Sequence, residues 1–245
     1  MNHPVRETSA AFLFAVALSS SAACSRQEQA RTPAAEPGAA QQAIVDRSAA
    51  GFTRLREGVG AAQVEVFVER ARGIMIFPKL VKASLIFGGE GGNGVLVARG
   101  HDGSWSNPAF YSLGAPSVGL QIGYQEATVV LFLMEDSVLE RVLYSDVTLG
   151  ANTSVALGVV GETDQNQGEL FSKPIYQLVE ARGAFVGLSL DGYVISARNK
   201  HNQAYYGAPV TPRSILIERS QRRPEADVLL RTLAPSAGQP LSSNP

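Results

Sequence analysis

Apolar residues in the first part of the folded region recur at helical spacing. They stand three and four residues apart in 45–55 and again in 61–71, on either side of a break at 58–60. This spacing places them on one face of an α-helix and predicts two consecutive helices. We expect Gly73 to end the second helix as its C′ residue, since glycine readily adopts the left-handed conformation needed there.

From residue 74 onward the apolar positions follow a period of two, which is typical of β-strands. In 117–125, residues Val118, Leu120, Ile122 and Tyr124 alternate with small or polar residues, so a strand with one buried face is predicted. Residues 128–134 (TVVLFLM) are almost continuously apolar. This run predicts a central strand that is covered on both faces.

A β-hairpin is predicted near the end of the domain. Residues 184–190 and 193–198 flank Asp191-Gly192, and this dipeptide favours a type I′ turn because both central positions require a positive φ. Several of the 24 glycines also fall inside predicted strands, where glycine marks a bend, a bulge or a close approach. They are Gly119, Gly123, Gly158, Gly161 and Gly187.

Short helices are predicted between and after the strands. Residues 137–144 look helical, with Ser137 and Glu140 spaced as a capping box. Thr211-Pro212 is a suitable N-cap and N1 pair, and 225–233 is a further helical candidate. The predicted fold class is therefore α+β, with N-terminal helices followed by a large, glycine-rich, curled antiparallel sheet, barrel-like or shell-like in form.

The N-terminus has the pattern of a secretory signal peptide. Arg6 precedes an apolar run at 10–18, and small residues at 21–23 lead to Cys24, the only cysteine of the chain. The run is too short to span a bilayer, which takes roughly 20 apolar residues. Cleavage before Cys24 would make it the lipid-bearing N-terminus of a bacterial lipoprotein, whereas Ser21 and Ala23 also satisfy the ordinary signal peptidase.

The organisation expected from these patterns has four parts. They are a signal peptide (1–23), a proline- and alanine-containing tether (24–42), a folded domain (43–220), and a short helix with a small, polar tail (221–245). We expect the cell envelope as the location, with the outer membrane favoured because Ser25 follows Cys24 where inner-membrane retention typically requires Asp.

Charge argues against nucleic acid and points to a local basic region instead. The net charge of the chain is −1, whereas nucleic-acid-binding proteins are usually basic. Residues 51–100 are nevertheless net +3, with seven basic and four acidic residues. Anionic lipid attracts such residues by about 1 kcal/mol each near the surface. Lys79 and Lys82 are the best candidates because apolar residues surround them, although a solvated helix face would also explain the other charges.

Motifs of enzymes and metal sites are weak in this sequence. Gly89, Gly91 and Gly94 match GxGxxG, but a strand rather than a helix is predicted to follow, so we interpret them as a glycine-rich hairpin turn. The segment 187–191 lacks the second glycine of a nucleophile elbow, and Ser189 is expected to lie in the sheet. His101 and His201 occupy polar stretches without ligand spacing. We therefore expect neither catalysis nor a metal, and no cofactor.

Four segments in order resemble a known family. They are GIMIFPKLVKAS (73–84), GGEGGNGVLVARGHDGSWSNPAFYSLGAPSVGLQIG (88–123), TLGANTSVALGVVGE (148–162) and IYQLVEARGAFVGLSLDGYVISARNKHNQAYYG (175–207). On these motifs the chain is identified as similar to the SYLF domain, a lipid-binding family of bacteria and eukaryotes. The pairing of GSWSNPAF with GAFVGLSLDG is the most specific part of the match.

The resemblance implies binding to membrane lipids, with actin binding in some fungal members and phosphoinositide binding in animal ones. Actin is not expected as a partner here, because the leader is of bacterial type and no SH3 or FYVE domain accompanies the SYLF-like region. The family's basic position near the end of GVVGE is Glu162, and its Ser-Lys-Gly is Ala181-Arg182-Gly183. Specificity for polyphosphorylated headgroups is therefore not expected.

The function predicted from the sequence is non-enzymatic binding of membrane phospholipid. Lys79, Lys82, Arg72 and Arg182 are the predicted headgroup contacts, and Cys24 is the predicted lipid anchor. The alternative is a structural or adaptor module that holds another envelope protein. An apolar cavity of a few hundred cubic ångströms inside the sheet would favour lipid, whereas a filled core would favour the adaptor.

Overall fold

The computed structural model describes residues 37–84, 88–117, 123–150, 157–160, 171–181, 184–185 and 189–234. The helices of this part of the chain are α1 (Ala39–Val59), α2 (Ala61–Arg70), α3 (Asp136–Tyr144), α4 (Asn199–Tyr206), α5 (Pro212–Leu216) and α6 (Asp227–Leu233), with a 3₁₀ turn at Pro224–Ala226. Its strands are β1 (Gly73–Ser84), β2 (Gly88–Ala98), β3 (Ala109–Ser117), β4 (Gly123–Leu133), β5 (Val147–Thr148), β6 (Leu157–Val159), β7 (Ile175–Ala181), β8 (Ala184–Phe185) and β9 (Val194–Ala197).

The two predicted N-terminal helices are α1 and α2. Gly60 separates them with φ 111°, a conformation that favours glycine. The predicted role of Gly73 is wrong, because α2 ends at Arg70 and Ala71 is already extended. Gly73 is instead the first residue of β1. In the described chain, no helix is both long and apolar enough to cross a membrane.

The described strands form one mixed sheet in the order β5-β9-β3-β2-β1-β4-β7-β6, with β8 paired to β7. Neighbouring strands are antiparallel except for β6 and β7, which are parallel. The run 128–134 lies in β4, between β1 and β7, and Val129 to Leu133 are fully buried, as predicted for a central strand. The α+β fold class predicted from the sequence is confirmed.

The length of the chain between the two edges of the sheet requires the sheet to curl. Leu149 donates its N–H to Tyr193 O (2.8 Å), so Gly150 lies beside the turn before β9. An extended chain covers at most about 3.6 Å per residue, which limits the distance from Gly150 to Leu157 to about 25 Å. Six spacings of about 4.8 Å separate β9 from β6 across a flat sheet, or about 29 Å. The curl brings the two edges within reach.

Apolar clusters cover both faces of the sheet, and each face is named here after one of its helices. The α1 face, which includes Ile76, Val130 and Phe110, packs against α1, α2, α4 and α6. The α3 face, which includes Met75 and Leu131, packs against α3 and α5. The helix predicted over 225–233 forms the 3₁₀ turn and α6, so folded structure continues past residue 220.

Strand β1 contains a β-bulge around Pro78. Ile76 pairs with Val95 but Val81 pairs with Gly91, so β1 has one residue more than β2 over this stretch. Proline cannot donate a backbone hydrogen bond, and within a central strand it is tolerated at such a bulge. The Thr128 hydroxyl donates to Pro78 O (3.3 Å). The bulge therefore places a proline inside the sheet without an orphaned donor.

Two glycines of β2 make room for the bulge. A Cβ at Gly92 would lie 2.2 Å from Lys79 O, and one at Gly94 would lie 2.2 Å from Ile76 O. Neither distance is compatible with a side chain. The GxGxxG residues therefore lie inside a strand, and their interpretation as a hairpin turn is wrong.

The predicted type I′ hairpin at Asp191-Gly192 is also wrong. Only Gly192 has a positive φ (81°), and Tyr193 N–H donates to Leu190 O, as in a type II turn. Strand β9 pairs with β3 and β5. Ser189 precedes this turn and is not in a strand.

Three further sequence predictions concern strand and helix ends. The strand predicted over 117–125 falls mostly on residues 118–122, which lie outside the described residues. The residues before this gap end β3 and those after it begin β4, and these two strands are not neighbours in the sheet. Helix α3 is present, but its N-cap is Glu135 and no side chain caps it, so the Ser137 capping box is wrong. The prediction at Thr211-Pro212 is confirmed, because the Thr211 hydroxyl accepts from Ser214 N–H (3.1 Å).

Candidate functional site

Lys79 stands at the β1 bulge and projects a half-exposed ammonium group. Its Nζ lies 2.5 Å from Glu126 Oε1, and the two side chains are 51% and 44% exposed. Glu126 is two residues from Thr128 on the regular strand β4, and Thr128 packs against Gly51 of α1. Alternation along β4 therefore places the Lys79–Glu126 ion pair on the α1 face.

An open groove lies on the same face beside the bulge. Its volume is about 370 Å³. Gly92, one of its residues, lies directly against the Lys79 backbone. Three side chains of the groove carry hydrogen-bond donors, Asn93, Ser112 and Ser196, and the Ser112 hydroxyl donates to Ser196 O (3.4 Å). The remaining lining residues are Gly91, Gly92, Leu113, Gly114 and Val194.

We refer to Lys79, Glu126 and the residues of this groove as the bulge surface. Helices α1 and α4 cover another part of the α1 face, where Phe110 packs edge-to-face against Tyr205 with ring centroids 5.1 Å apart. The groove residues of β3, Ser112 and Gly114, follow Phe110 on the same side of the strand. They remain half-buried and open to solvent.

Of the remaining residues predicted to contact lipid, the structure describes some and leaves others outside the described residues. Lys82 lies in β1, in register with Glu90 of β2 and Gln125 of β4. Arg182 and Cys24 lie outside the described residues. Ala181, the residue before Arg182, pairs with Ala127, which in turn pairs with Leu80. The strands therefore bring the end of β7 close to the bulge, with β4 between them.

Arg72 lies far from the bulge. It directly precedes β1, seven residues before Lys79, which corresponds to about 23 Å along a strand. Its guanidinium contacts Asp136 at the start of α3 (3.6 Å), and both side chains are exposed. The structure therefore does not bring Arg72 into one site with Lys79.

Other cations of the basic region 51–100 hold the fold together. The Arg99 guanidinium donates to Val68 O (2.6 Å) and Ala71 O (3.2 Å), which are carbonyls at the end of α2, and it stacks on Trp105 at 4.1 Å. Burial lowers its pKa. Arg54 contacts Glu180 at 3.8 Å. These arginines of the basic region are therefore engaged in contacts within the domain.

A buried polar pair was missed by reasoning from the sequence. The Tyr193 hydroxyl donates to the carboxylate of Glu90, and both residues are more than nine-tenths buried. Burial first, and then the Glu90 carboxylate, raises the pKa of Tyr193. Glu90 stands in a glycine-rich run with no apolar alternation, so nothing in its sequence context indicated burial.

Chemistry beyond binding finds little support in the described residues. Within them, no three histidine, cysteine or acidic side chains lie close enough to hold a metal ion. His101 is exposed, and burial lowers the pKa of His201. Ser189 Oγ donates to Asp191 Oδ2 (2.9 Å), an exposed contact within one turn.

Comparison with known proteins identifies the family. The profile of the Ysc84 family, described as "Las17-binding protein actin regulator", matches residues 114–236. Protein YSC84 of Saccharomyces cerevisiae is 32% identical over 188 residues, which cover 74% of this chain and 40% of that protein. SH3 domain-containing YSC84-like protein 1 of Homo sapiens is 29% identical over 168 residues, which cover 68% of this chain and 49% of that protein.

The chain thus spans between two-fifths and half of the length of these curated relatives. The matched profile covers β4 through α6 and half of the whole chain. The family is one of binding domains, and its members include the YSC84-like proteins of fungi and animals. This chain belongs to the Ysc84 family, which is the SYLF domain family that its sequence motifs resemble.

Proposed function

We propose that this chain is a non-enzymatic member of the family that binds membrane lipid, and that anionic phospholipid headgroups bind at the bulge surface. The observation that carries the proposal is the half-exposed Lys79 side chain beside a groove that carries the side-chain donors of Asn93 and Ser196. A phosphodiester headgroup requires a cation and polar donors in this arrangement. The groove volume of about 370 Å³ lies within the range of small-molecule sites.

The ion pair with Glu126 does not prevent Lys79 from binding a phosphate. Both side chains are about half exposed, and an exposed ion pair contributes about 1 kcal/mol or less. A lipid phosphate can therefore compete for the ammonium group. Lys82 and Arg182 are proposed to add to the same surface, on the strength of the sequence and the family motif. Arg72 contributes least, because it lies at the other end of β1.

Contact at the surface is favoured over transport of lipid inside the domain. The α3 face carries a cluster of buried apolar side chains packed against α3 and α5. The α1 face carries a second such cluster under α1, α2, α4 and α6. The groove formed by described residues is open to solvent and mixed in polarity, instead of enclosed and apolar. These features support a domain that contacts headgroups while the acyl chains remain in the bilayer.

The proposal includes a place in the cell envelope. The leader and the lone Cys24 support a lipoprotein that is held at a membrane by its lipid, with the outer membrane as its destination. A tether of polar and small residues would let the domain reach the bilayer surface.

The second candidate is an adaptor for another envelope protein. It is favoured by the filled apolar clusters and by the description of the family as Las17-binding. Flotation of the chain from Ser25 onward with phosphatidylglycerol vesicles separates the two functions. Lipid binding predicts flotation with these vesicles at low salt and little flotation with phosphatidylcholine. An adaptor predicts no flotation with either kind of vesicle.

A further inference from the structure

Arg213 connects two exposed apolar residues that come from distant parts of the sequence. In the described chain, three large apolar side chains are exposed: Val66 (39%), Tyr144 (62%) and Ile217 (44%). Arg213 Nη1 donates to Tyr144 Oη at 2.5 Å, which joins the end of α3 to α5. Ile217 N–H donates to Arg213 O at 2.9 Å, so Ile217 lies one helical turn from Arg213.

We call Tyr144, Arg213 and Ile217 the tyrosine patch. Helices α3 and α5 bury their other apolar residues against the α3 face, including Val142 and Leu216. Tyr144 and Ile217 are thus the apolar residues that these helices leave on the outside. They give the patch an aromatic ring and an aliphatic side chain on either side of an arginine.

The charges around the patch are balanced. Arg213 Nε donates to Glu218 Oε1 at 3.0 Å. Arg141 and Glu140 precede Tyr144 by three and four residues, which places them beside it on the helix surface. The rim therefore carries two arginines and two glutamates, and Asp146 follows shortly after. A rim without positive excess does not suit an anionic bilayer, but it is complementary to a copy of itself.

The patch is also pre-organised for contact. Tyr144 and Glu218 hold the Arg213 guanidinium from two sides, so little side-chain freedom remains to be lost on binding. Tyrosine and arginine are the residues most often found at the energetic centre of protein interfaces. The bulge surface lies on the opposite face of the sheet, so both surfaces can be occupied at once.

We propose that the tyrosine patch is a self-association surface that binds the same patch of a second copy of this chain about a two-fold axis. In such an isologous contact the apolar centres meet and each arginine faces a glutamate of the partner. This inference is independent of lipid binding, since it uses different residues on a different face.

Site-specific photo-cross-linking of the full chain in cells tests the proposal. A benzophenone amino acid replaces Ile217 in one variant and Val66 in a second. Val66 is the matched control, because it is the other exposed aliphatic side chain of the described residues and lies on α2, away from the patch. We expect a product with twice the monomer mass from the Ile217 probe, with both linked peptides from this chain, and none from the Val66 probe.

The variant Tyr144→Ala, combined with the Ile217 probe, should lower the yield of this product about tenfold, as expected for loss of an interface anchor. Tyr144→Phe keeps the ring and should retain most of the yield. The proposal is overturned by products that contain only another protein or lipid, by equal yields from the two probes, by the absence of any product, or by a yield unchanged in Tyr144→Ala.

Discussion

The Lys79–Glu126 ion pair provides a test in which two neighbouring substitutions should affect lipid binding in opposite directions. If the Lys79 ammonium group contacts a headgroup, Lys79→Ala removes an attraction of about 1 kcal/mol and weakens binding about fivefold. Glu126→Gln removes the competing carboxylate, 2.5 Å from Nζ, together with its repulsion of the phosphate. Since an exposed pair contributes about 1 kcal/mol or less, binding should strengthen up to about fivefold.

The double variant sharpens this test. If the carboxylate acts mainly through Lys79, Glu126→Gln should strengthen binding far less when Lys79 is already alanine, a non-additivity expected of groups in contact. Adding Lys82→Ala to Lys79→Ala should raise the total loss to about 2 kcal/mol, or about thirtyfold. Both losses should be larger at low salt, because counterions already screen the interaction at high salt.

The assay is flotation of the chain from Ser25 onward over a series of phosphatidylglycerol vesicle concentrations. Arg222→Ala is the matched control, since it also removes a cation from an exposed ion pair, with Asp227 at 3.5 Å. Arg222 lies away from the groove: the N–H of the neighbouring Arg223 donates to Asn107 Oδ1 (3.0 Å), and Asn107 precedes β3, at the end of that strand remote from the groove. Equal losses in Lys79→Ala and Arg222→Ala, or weaker binding in Glu126→Gln, would refute the reasoning.

Three further outcomes are expected. Cys24→Ser should release the protein from the membrane fraction or block its processing, and recovery of the unchanged protein only in the soluble periplasmic fraction would contradict the anchor. Gly94→Ala should lower the free energy of unfolding by about 2 to 3 kcal/mol in urea titrations, because the new Cβ would meet Ile76 O; an unchanged midpoint would oppose the bulge packing. Burial, and then the charge of Arg198, lowers the pKa of His201 in the folded state, so stability should fall as the pH drops below about 6.5, where the unfolded chain binds more protons. His201→Gln should flatten this fall below about pH 6.5, and identical pH profiles would contradict the assignment.

Local patterns in the sequence were enough to predict the central strand and the helices other than α4, which was missed. The helical spacing in 45–55 and the N-cap at Thr211 depend on neighbours within one or two turns, and both appear in the structure. The turn at Asp191-Gly192 was mispredicted because β9 pairs with distant strands, and such pairing overrides the preference of a dipeptide.

The candidate sites depend on contacts that no local pattern contains. Lys79 was a candidate from its apolar surroundings, but its partner Glu126 is 47 residues away and becomes a neighbour only through the pairing of β1 with β4. The tyrosine patch joins residues 69 positions apart. Pro78 and the glycines of β2 are compatible with a sheet only through a bulge that is visible in the strand register.

The most direct test of the central claim measures where the domain touches a membrane. The chain from Ser25 onward contains no cysteine, so a single fluorophore can be attached through Asn93→Cys in the groove or through Arg222→Cys as the distant control. The vesicles contain phosphatidylglycerol and a trace of lipid with a quencher on its headgroup. The account predicts quenching of the Asn93 label, little quenching of the Arg222 label, and neither effect with phosphatidylcholine. Equal quenching at both positions, or none at Asn93 while the chain floats with the vesicles, would contradict it.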